Sequence, residues 1–235
     1  GEHSMHSALK IKLKEKLLPL YEELYMEFGN EAFKDHLSPF YVQIGSEWKE
    51  NQGLLFVGKA TNGWGISSSA EELFADFTNE SEDSLKWVED QKGDNSEYNT
   101  SKSAFWRVTE NIAHSYFPQN WYKYIAWSNL CKVAPTDKGN PSNAEFYKQK
   151  DICKKILLTE IDILKPKVVI LFTSDWDILD LSSGKYISEE KWGNTSSILY
   201  ELNGVYYIHS AHPQGKIEEA HKNAIESLIK KIDNN

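Results

Sequence analysis

Arginine is nearly missing from this chain: among 26 basic residues, Arg107 alone is not a lysine. With acidic residues in excess and a net charge of −9, a general nucleic-acid coating protein is excluded. A single arginine also leaves little means of reading guanines through bidentate guanidinium contacts. A local lysine-lined groove stays open, because steering depends on how charge is distributed. Cysteine is equally scarce. Cys131 and Cys153 are too few for a disulfide framework or a four-cysteine iron–sulfur cluster. Their apolar neighbours read as buried, reduced thiols, which implies a cytoplasmic protein. No apolar run reaches the ~20 residues of a membrane helix, so no membrane partner is expected. No charged-then-apolar signal peptide opens the chain either. The first five residues, GEHSM, read as a vector remnant and are set aside. Of 7 histidines, only His209 and His212 lie close together. Without HxxxH spacing or a neighbouring cysteine, no metal site is expected.

What the chain has is aromatic residues, 8 Trp, 12 Tyr and 10 Phe, within a 40% hydrophobic composition. That supplies a sizeable core for 235 residues and argues against disorder. Helical spacing predicts a helix over 7–28, broken or kinked at Pro19, and one or two further helices over 31–51. The first clear strand is 54–59. Serines at 67–69 can cap a helix running toward Phe77. Residues 78–100 form an acidic surface excursion with a short helix. An amphipathic helix follows at 101–117, then a strand at 124–133 and the loop APTDKGNPSN. Ser142 or Asn143 caps a long helix that stops at Lys165-Pro166. KVVILFT, 167–173, is an apolar run typical of a central parallel strand. Two strands surround the turn pair Asn203-Gly204, and a helix over 216–232 closes the chain. This alternation predicts one domain over 6–235, an α/β chain forming a three-layer α/β/α sandwich around a mostly parallel sheet.

Three strand ends turn polar: GKATNGWG after the first strand, SNLCKVAP after the second and SAHPQGK after the last. In a parallel sheet such ends converge on one crevice, where small ligands sit. Glycines at 63 and 65 permit a tight turn or close approach of a ligand.

The order and content of these turns, over roughly residues 53–216, resemble the uracil-DNA glycosylase superfamily. NLCKVAPTDKGNPSN, a long helix and ILKPKVVILFTS are similar to the Asn-x-x-Lys segment of its bacterial iron–sulfur branch. The resemblance implies a uracil-DNA glycosylase-like fold and a monofunctional enzyme that flips a nucleotide and hydrolyses its N-glycosidic bond. Asn129 matches the asparagine that reads the base edge, where an amide offers both donor and acceptor. His212 matches the histidine of a His-Pro motif, which stabilises charge on the departing base. Phe74 falls where the family places a stacking ring, with Trp64 and Phe77 as competitors. Lys59, Lys132 and Lys216 adjoin the three turns as candidate phosphate contacts. Ala60 stands two positions after Gly58, where the family often carries an acid or asparagine. Asn62 is the nearest neutral group that could orient a water. The late motif continues as Gln214-Gly215-Lys216, without the usual serine.

These departures direct the expected substrate from uracil toward a uracil-like or modified pyrimidine, such as a hypermodified cytosine in phage DNA removed as antiviral defence. No cofactor is needed, DNA is the expected partner, and a monomer is expected. Two alternatives stand beside this reading. One is a catalytically silent module on the same fold that binds DNA or protein. The other is an unrelated small-molecule enzyme on a flavodoxin-like sheet.

Overall fold

Leu13, Leu17, Tyr21 and Leu24 recur every three or four residues and are fully buried, so one stripe of the first segment winds into a helix against the core. The computed structural model describes residues 2–79, 83–93, 95–96, 98–137 and 139–234, with side chains from Met5 onward. Residues 80–82, 94 and 97 of the acidic excursion, and Lys138 in the APTDKGNPSN loop, lie outside the described residues. So do Gly1 and the side chains of residues 2–4 in the leading pentapeptide.

In chain order the elements are α1 (Glu2–Phe28), β1 (Leu37–Pro39), β2 (Gln43–Ile44), β3 (Leu54–Gly58), α2 (Ala70–Leu73), α3 (Lys86–Asp90), α4 (Ala104–Tyr116), β4 (Ile125–Asn129), β5 (Val133–Pro135), α5 (Asn143–Leu164), β6 (Val168–Phe172), β7 (Lys185–Trp192), β8 (Thr195–Leu202), β9 (Val205–Ser210) and α6 (Glu218–Asp233). They group into two compact units, each assembled from three stretches of chain.

The first unit comprises Gly1–Val42, Lys59–Glu82 and Ser128–Lys165. Helix α1 packs on α5 and carries Pro19 without interruption. The expected break is absent, and the buried stripe runs on either side of the proline. Ser142 and Glu145 form a reciprocal capping box that starts α5. Lys165, in the left-handed conformation, ends it before Pro166. β1 and β5 pair antiparallel. Gln149 of α5 supplies what this short ladder lacks. Its Oε1 accepts from the Lys132 and Val133 N–H groups, both at 3.0 Å, and its Nε2 donates to the Val133 carbonyl at 2.9 Å.

The second unit comprises Gln43–Gly58, Asp83–Trp127 and Pro166–Asn235. It carries a seven-stranded sheet in the order β2-β4-β3-β6-β9-β8-β7. The last two residues of β4, Ser128 and Asn129, are counted with the first unit. β3 runs parallel to β6, and β6 parallel to β9. β2–β4, β7–β8 and β8–β9 are antiparallel. The sheet is therefore mixed. β3 and β6 are buried along their whole length, as continuous apolar strands require. Asn203 and Gly204, with φ of 52° and 80°, make the tight β8–β9 hairpin. Helices α4 and α6 are clamped by a bidentate contact, Arg107 Nε to Glu218 Oε1 at 3.0 Å and Nη2 to Oε2 at 2.8 Å.

Two expectations are corrected. The segment 31–51 is not helical: it holds a 3-10 turn, β1, β2 and loops. Pro39 lies inside it, and at Gly45 the backbone comes so close to Lys123 that no side chain fits. Strand β7, KYISEEKW, passes unnoticed in the sequence because it is an edge strand with a largely exposed, charged pattern.

Candidate active site

The turn after β3 and the turn after β4 are joined by one backbone bond in the first unit, Cys131 N–H to the Lys59 carbonyl at 2.9 Å. Asn129 ends β4 with 1% of its surface exposed, and its Nδ2 meets no acceptor among the described residues. Thr61, in the joined turn, is 5% exposed, and its Oγ1 likewise has no partner there. Buried polar atoms are almost always paired, because leaving one unpaired costs about 1–3 kcal/mol. Thr109 Oγ1, Thr173 Oγ1 and His209 Nε2 are unpaired elsewhere among the described residues; what sets Asn129 and Thr61 apart is that these two orphans sit on turns pinned to each other.

The glycine-containing loop is shaped by Ser38 of β1. Its Oγ accepts from Trp64 N–H at 3.1 Å and Gly65 N–H at 2.8 Å, and donates to the Gly65 carbonyl at 2.5 Å. Gly63 has a φ of 83°, where a side chain would be strained. Trp64 sits edge-on to Phe40, with centroids 5.4 Å apart, and keeps part of its surface open. With Pro39, Tyr41, Ile66, Glu72 and Asp76 it lines a cleft of about 250 Å³.

Two assignments from the sequence change here. Lys132 is not a phosphate contact. It is fully buried, and its Nζ lies 2.9 Å from Glu160 Oε2 and 2.5 Å from Ser128 Oγ. Phe74 does not present a face for stacking. It has no exposed surface and is enclosed by Tyr21, Tyr41 and Phe77 at 4.9, 5.3 and 5.2 Å. Phe77 is 2% exposed, so Trp64 is the accessible ring of the three. Asn62 is exposed, and its Oδ1 accepts from Gly139 N–H at 3.2 Å. Its oxygen ties two loops together and keeps a second lone pair, with the Nδ2 donors, open to solvent. Lys59 stays partly exposed at the mouth of the loop.

His212 belongs to the second unit, just beyond β9. Its backbone N–H donates to Ser174 Oγ at 2.9 Å, and its Nδ1 accepts from Gln214 N–H at 3.1 Å. Because Nδ1 accepts, the neutral ring carries its proton on Nε2. The ring lies 6.4 Å from Phe105. An imidazole fixed this way can donate Nε2–H to a developing oxyanion. Lys216, partly exposed, follows on the same turn, where its N–H donates to the Pro213 carbonyl at 3.1 Å.

Behind His212 runs a buried chain of hydrogen bonds: Trp192 Nε1 to Ser197 Oγ at 3.0 Å, Ser197 to Ser210 at 2.6 Å and Ser210 to His221 Nε2 at 2.7 Å. Trp192 also stacks on His221 at 4.3 Å. Burial, with repulsion from His212 added, pushes the His221 imidazole down to about 4. Residues 173–174 close the end of β6 on this chain and were missed in the sequence. The signal was there: Thr173-Ser174-Asp175 is a fourth polar turn following an apolar strand.

Both cysteines are buried free thiols. Burial pushes Cys153 up to about 12 and Cys131 higher still, so neither is a nucleophile at neutral pH. Among the described residues, Glu89, Glu110 and His114 are grouped closely enough to hold a metal ion, with ligand atoms within 4.8 Å of one another. Lys92 already supplies the cation there, bonded to both Glu89 and Glu110. No protein-family model matches the chain, and no curated protein matches it.

Proposed function

We propose that this protein is a monofunctional DNA glycosylase acting on a uracil-like or modified pyrimidine. The observation that carries the reading is the buried Asn129 amide, whose Nδ2 is unpaired at a strand end. An unused amide beside a pinned glycine loop is what a flipped base edge would satisfy. The fold that goes with it is the uracil-DNA glycosylase-like three-layer sandwich, and the partner is DNA bound by a monomer.

In the proposed reaction the C1′–N bond breaks and its electron pair leaves with the base. Water supplies the oxygen that bonds C1′, and its proton balances the base anion. Asn129 reads the base edge, Trp64 offers a stacking face and His212 Nε2–H stabilises the departing oxygen. Much of the charge travels with the leaving group, so cleavage can proceed without a strong general base. Lys59 and Lys216 are the remaining phosphate contacts.

The test is a panel of oligonucleotides carrying uracil, mismatched thymine or modified cytosines, together with modified phage DNA, scored for alkali-labile abasic sites. Asn129→Ala should weaken discrimination between bases. His212→Ala should slow single-turnover cleavage by roughly 10²–10³-fold. Rates unchanged by either substitution would refute the roles. A catalytically silent binding module is the second reading, and the engagement of Asn62 by Gly139 favours it. Specific DNA binding with no abasic sites on any substrate would select it.

A further inference from the structure

We infer that Ser174 is a positioning residue for His212, held in a costly backbone conformation so that its hydroxyl fixes the histidine turn. The inference rests on the role proposed above for His212. All the groups involved belong to the second unit.

The argument starts from the backbone. Ser174 has a φ of 52°, a left-handed conformation that favours glycine and that non-glycine residues visit seldom. Nothing about a two-residue strand exit demands a serine there. Glycine would reach the same backbone without strain. What glycine lacks is the hydroxyl, and Ser174 Oγ accepts the His212 N–H at 2.9 Å.

The serine is itself anchored. Ser210, the last residue of β9, accepts through its carbonyl from Thr173 N–H at 3.2 Å and Ser174 N–H at 3.0 Å. The Ser210 side chain is fixed in turn by Ser197 and His221. From Ser210 the chain needs only Ala211 to reach His212. The histidine turn is thus bracketed: the buried network holds its start, Ser174 holds the His212 backbone, and Gln214 N–H sets the ring tautomer. Remove the Ser174 hydroxyl and the middle support goes, while the ring keeps its chemistry. Displacement of a catalytic group by about 1 Å can cost as much as 10²-fold in rate.

Ser174→Gly separates positioning from structure, because it relieves the strained φ while deleting the hydroxyl. Melting temperature should hold or rise. Single-turnover cleavage of the substrate identified from the panel should fall by about tenfold to 10²-fold, with KM little changed. In the free protein, ¹⁵N spectra of the His212 ring should shift from one well-defined Nε2–H tautomer toward averaged nitrogen signals. Ser174→Asn tolerates the left-handed conformation and restores an acceptor, so it should recover part of both. Unchanged rate and unchanged ring spectra in Ser174→Gly would overturn the inference, as would a rate loss matched by unfolding. If no substrate is ever cleaved, the glycosylase reading fails, and the ring spectra still decide whether Ser174 positions His212.

Discussion

Lys132 gives the sharpest test of how the first unit is built, because sequence and structure assign it opposite environments. As a phosphate contact it would stand in solvent. In the structure its ammonium is sealed between Glu160 Oε1 at 3.2 Å, Glu160 Oε2 at 2.9 Å and Ser128 Oγ at 2.5 Å, with no exposed side-chain surface on either ion. Ser128 also donates to Glu160 Oε1 at 2.6 Å, so the three groups form a closed network directly behind Asn129. Lys132→Met removes the cation and strands a buried carboxylate. Breaking such a pair costs about 3–5 kcal/mol, whereas replacing both ions by packed apolar groups is often neutral or stabilising by about 1–4 kcal/mol.

Urea unfolding measures both effects. With a slope of about 3 kcal/mol/M, Lys132→Met should lower the midpoint by roughly 1–2 M. Lys132→Met/Glu160→Leu should recover most or all of that loss, giving a strong coupling in a double-mutant cycle. On the proposed glycosylase reading, the salt dependence of DNA binding should not lose a contact in the double variant, since a buried Lys132 neutralises no phosphate. A midpoint shift below about 0.3 M for Lys132→Met, at the roughly 1 kcal/mol ceiling of an exposed pair, would refute the burial argument. So would a flattened salt slope in the stable double variant.

Two further outcomes follow from a buried histidine and from two glycines. His221 is fully buried and depressed from 6.5 to about 4, so between those values the unfolded chain binds more protons than the native one. Stability should therefore fall as pH drops from 6.5 toward 4, by roughly 3 kcal/mol if this group acts alone. In His221→Gln that part of the pH dependence should vanish from urea midpoints measured across the window. At Gly45 an added Cβ would strike the Lys123 carbonyl, while at Gly65 it would meet open space. Gly45→Ala should cost about 1–3 kcal/mol, and Gly65→Ala should stay within about 0.5 kcal/mol, both read as urea midpoints.

The parts of the fold legible in the sequence were those fixed by local chemistry. The apolar runs of β3 and β6, the Ser142 cap and Lys165-Pro166 stop of α5, and the Asn203-Gly204 hairpin each follow from a few adjacent residues. What escaped depends on distant partners. Lys132 looks like any turn lysine until Glu160, a full helix later, folds over it. Phe74 ends a four-residue helix, and only the arrival of Tyr21 and Tyr41 makes it core. The segment 31–51 has helical spacing of its apolar residues, yet Pro39 and the pairing of β1 with β5 override it. Asn129 and His212 were legible as strand-end residues. The unpaired state of the Asn129 amide and the tautomer of the His212 ring were not, because both are defined by neighbours brought in by folding.

Asn129 can be weighed against the other buried polar side chains. Some buried polar groups here are fully engaged: Gln149 uses both ends of its amide, and Ser128, Lys132 and Glu160 hold one another. Others are not: among the described residues the Asn129 Nδ2 and Thr61 Oγ1 are left unpaired, as are Thr109 Oγ1, Thr173 Oγ1 and His209 Nε2, and Ser174 is held at a positive φ. The departures at Asn129, Thr61 and Ser174 could each be relieved by one substitution, Asn129→Leu, Thr61→Val or Ser174→Gly, with no loss of any hydrogen bond to the Asn129 Nδ2 or Thr61 Oγ1. The Ser174 strain is offset within the fold by its bond to His212, whereas an unpaired buried amide is a place where a ligand can supply the compensation. Asn129→Leu should accordingly hold or raise the urea midpoint, since it removes an orphan amide with a near-isosteric apolar group. The same variant should, like Asn129→Ala, lose discrimination between bases. A stability loss above about 2 kcal/mol would show that the amide is paired within the fold, and the case for Asn129 as the base reader would fall with it.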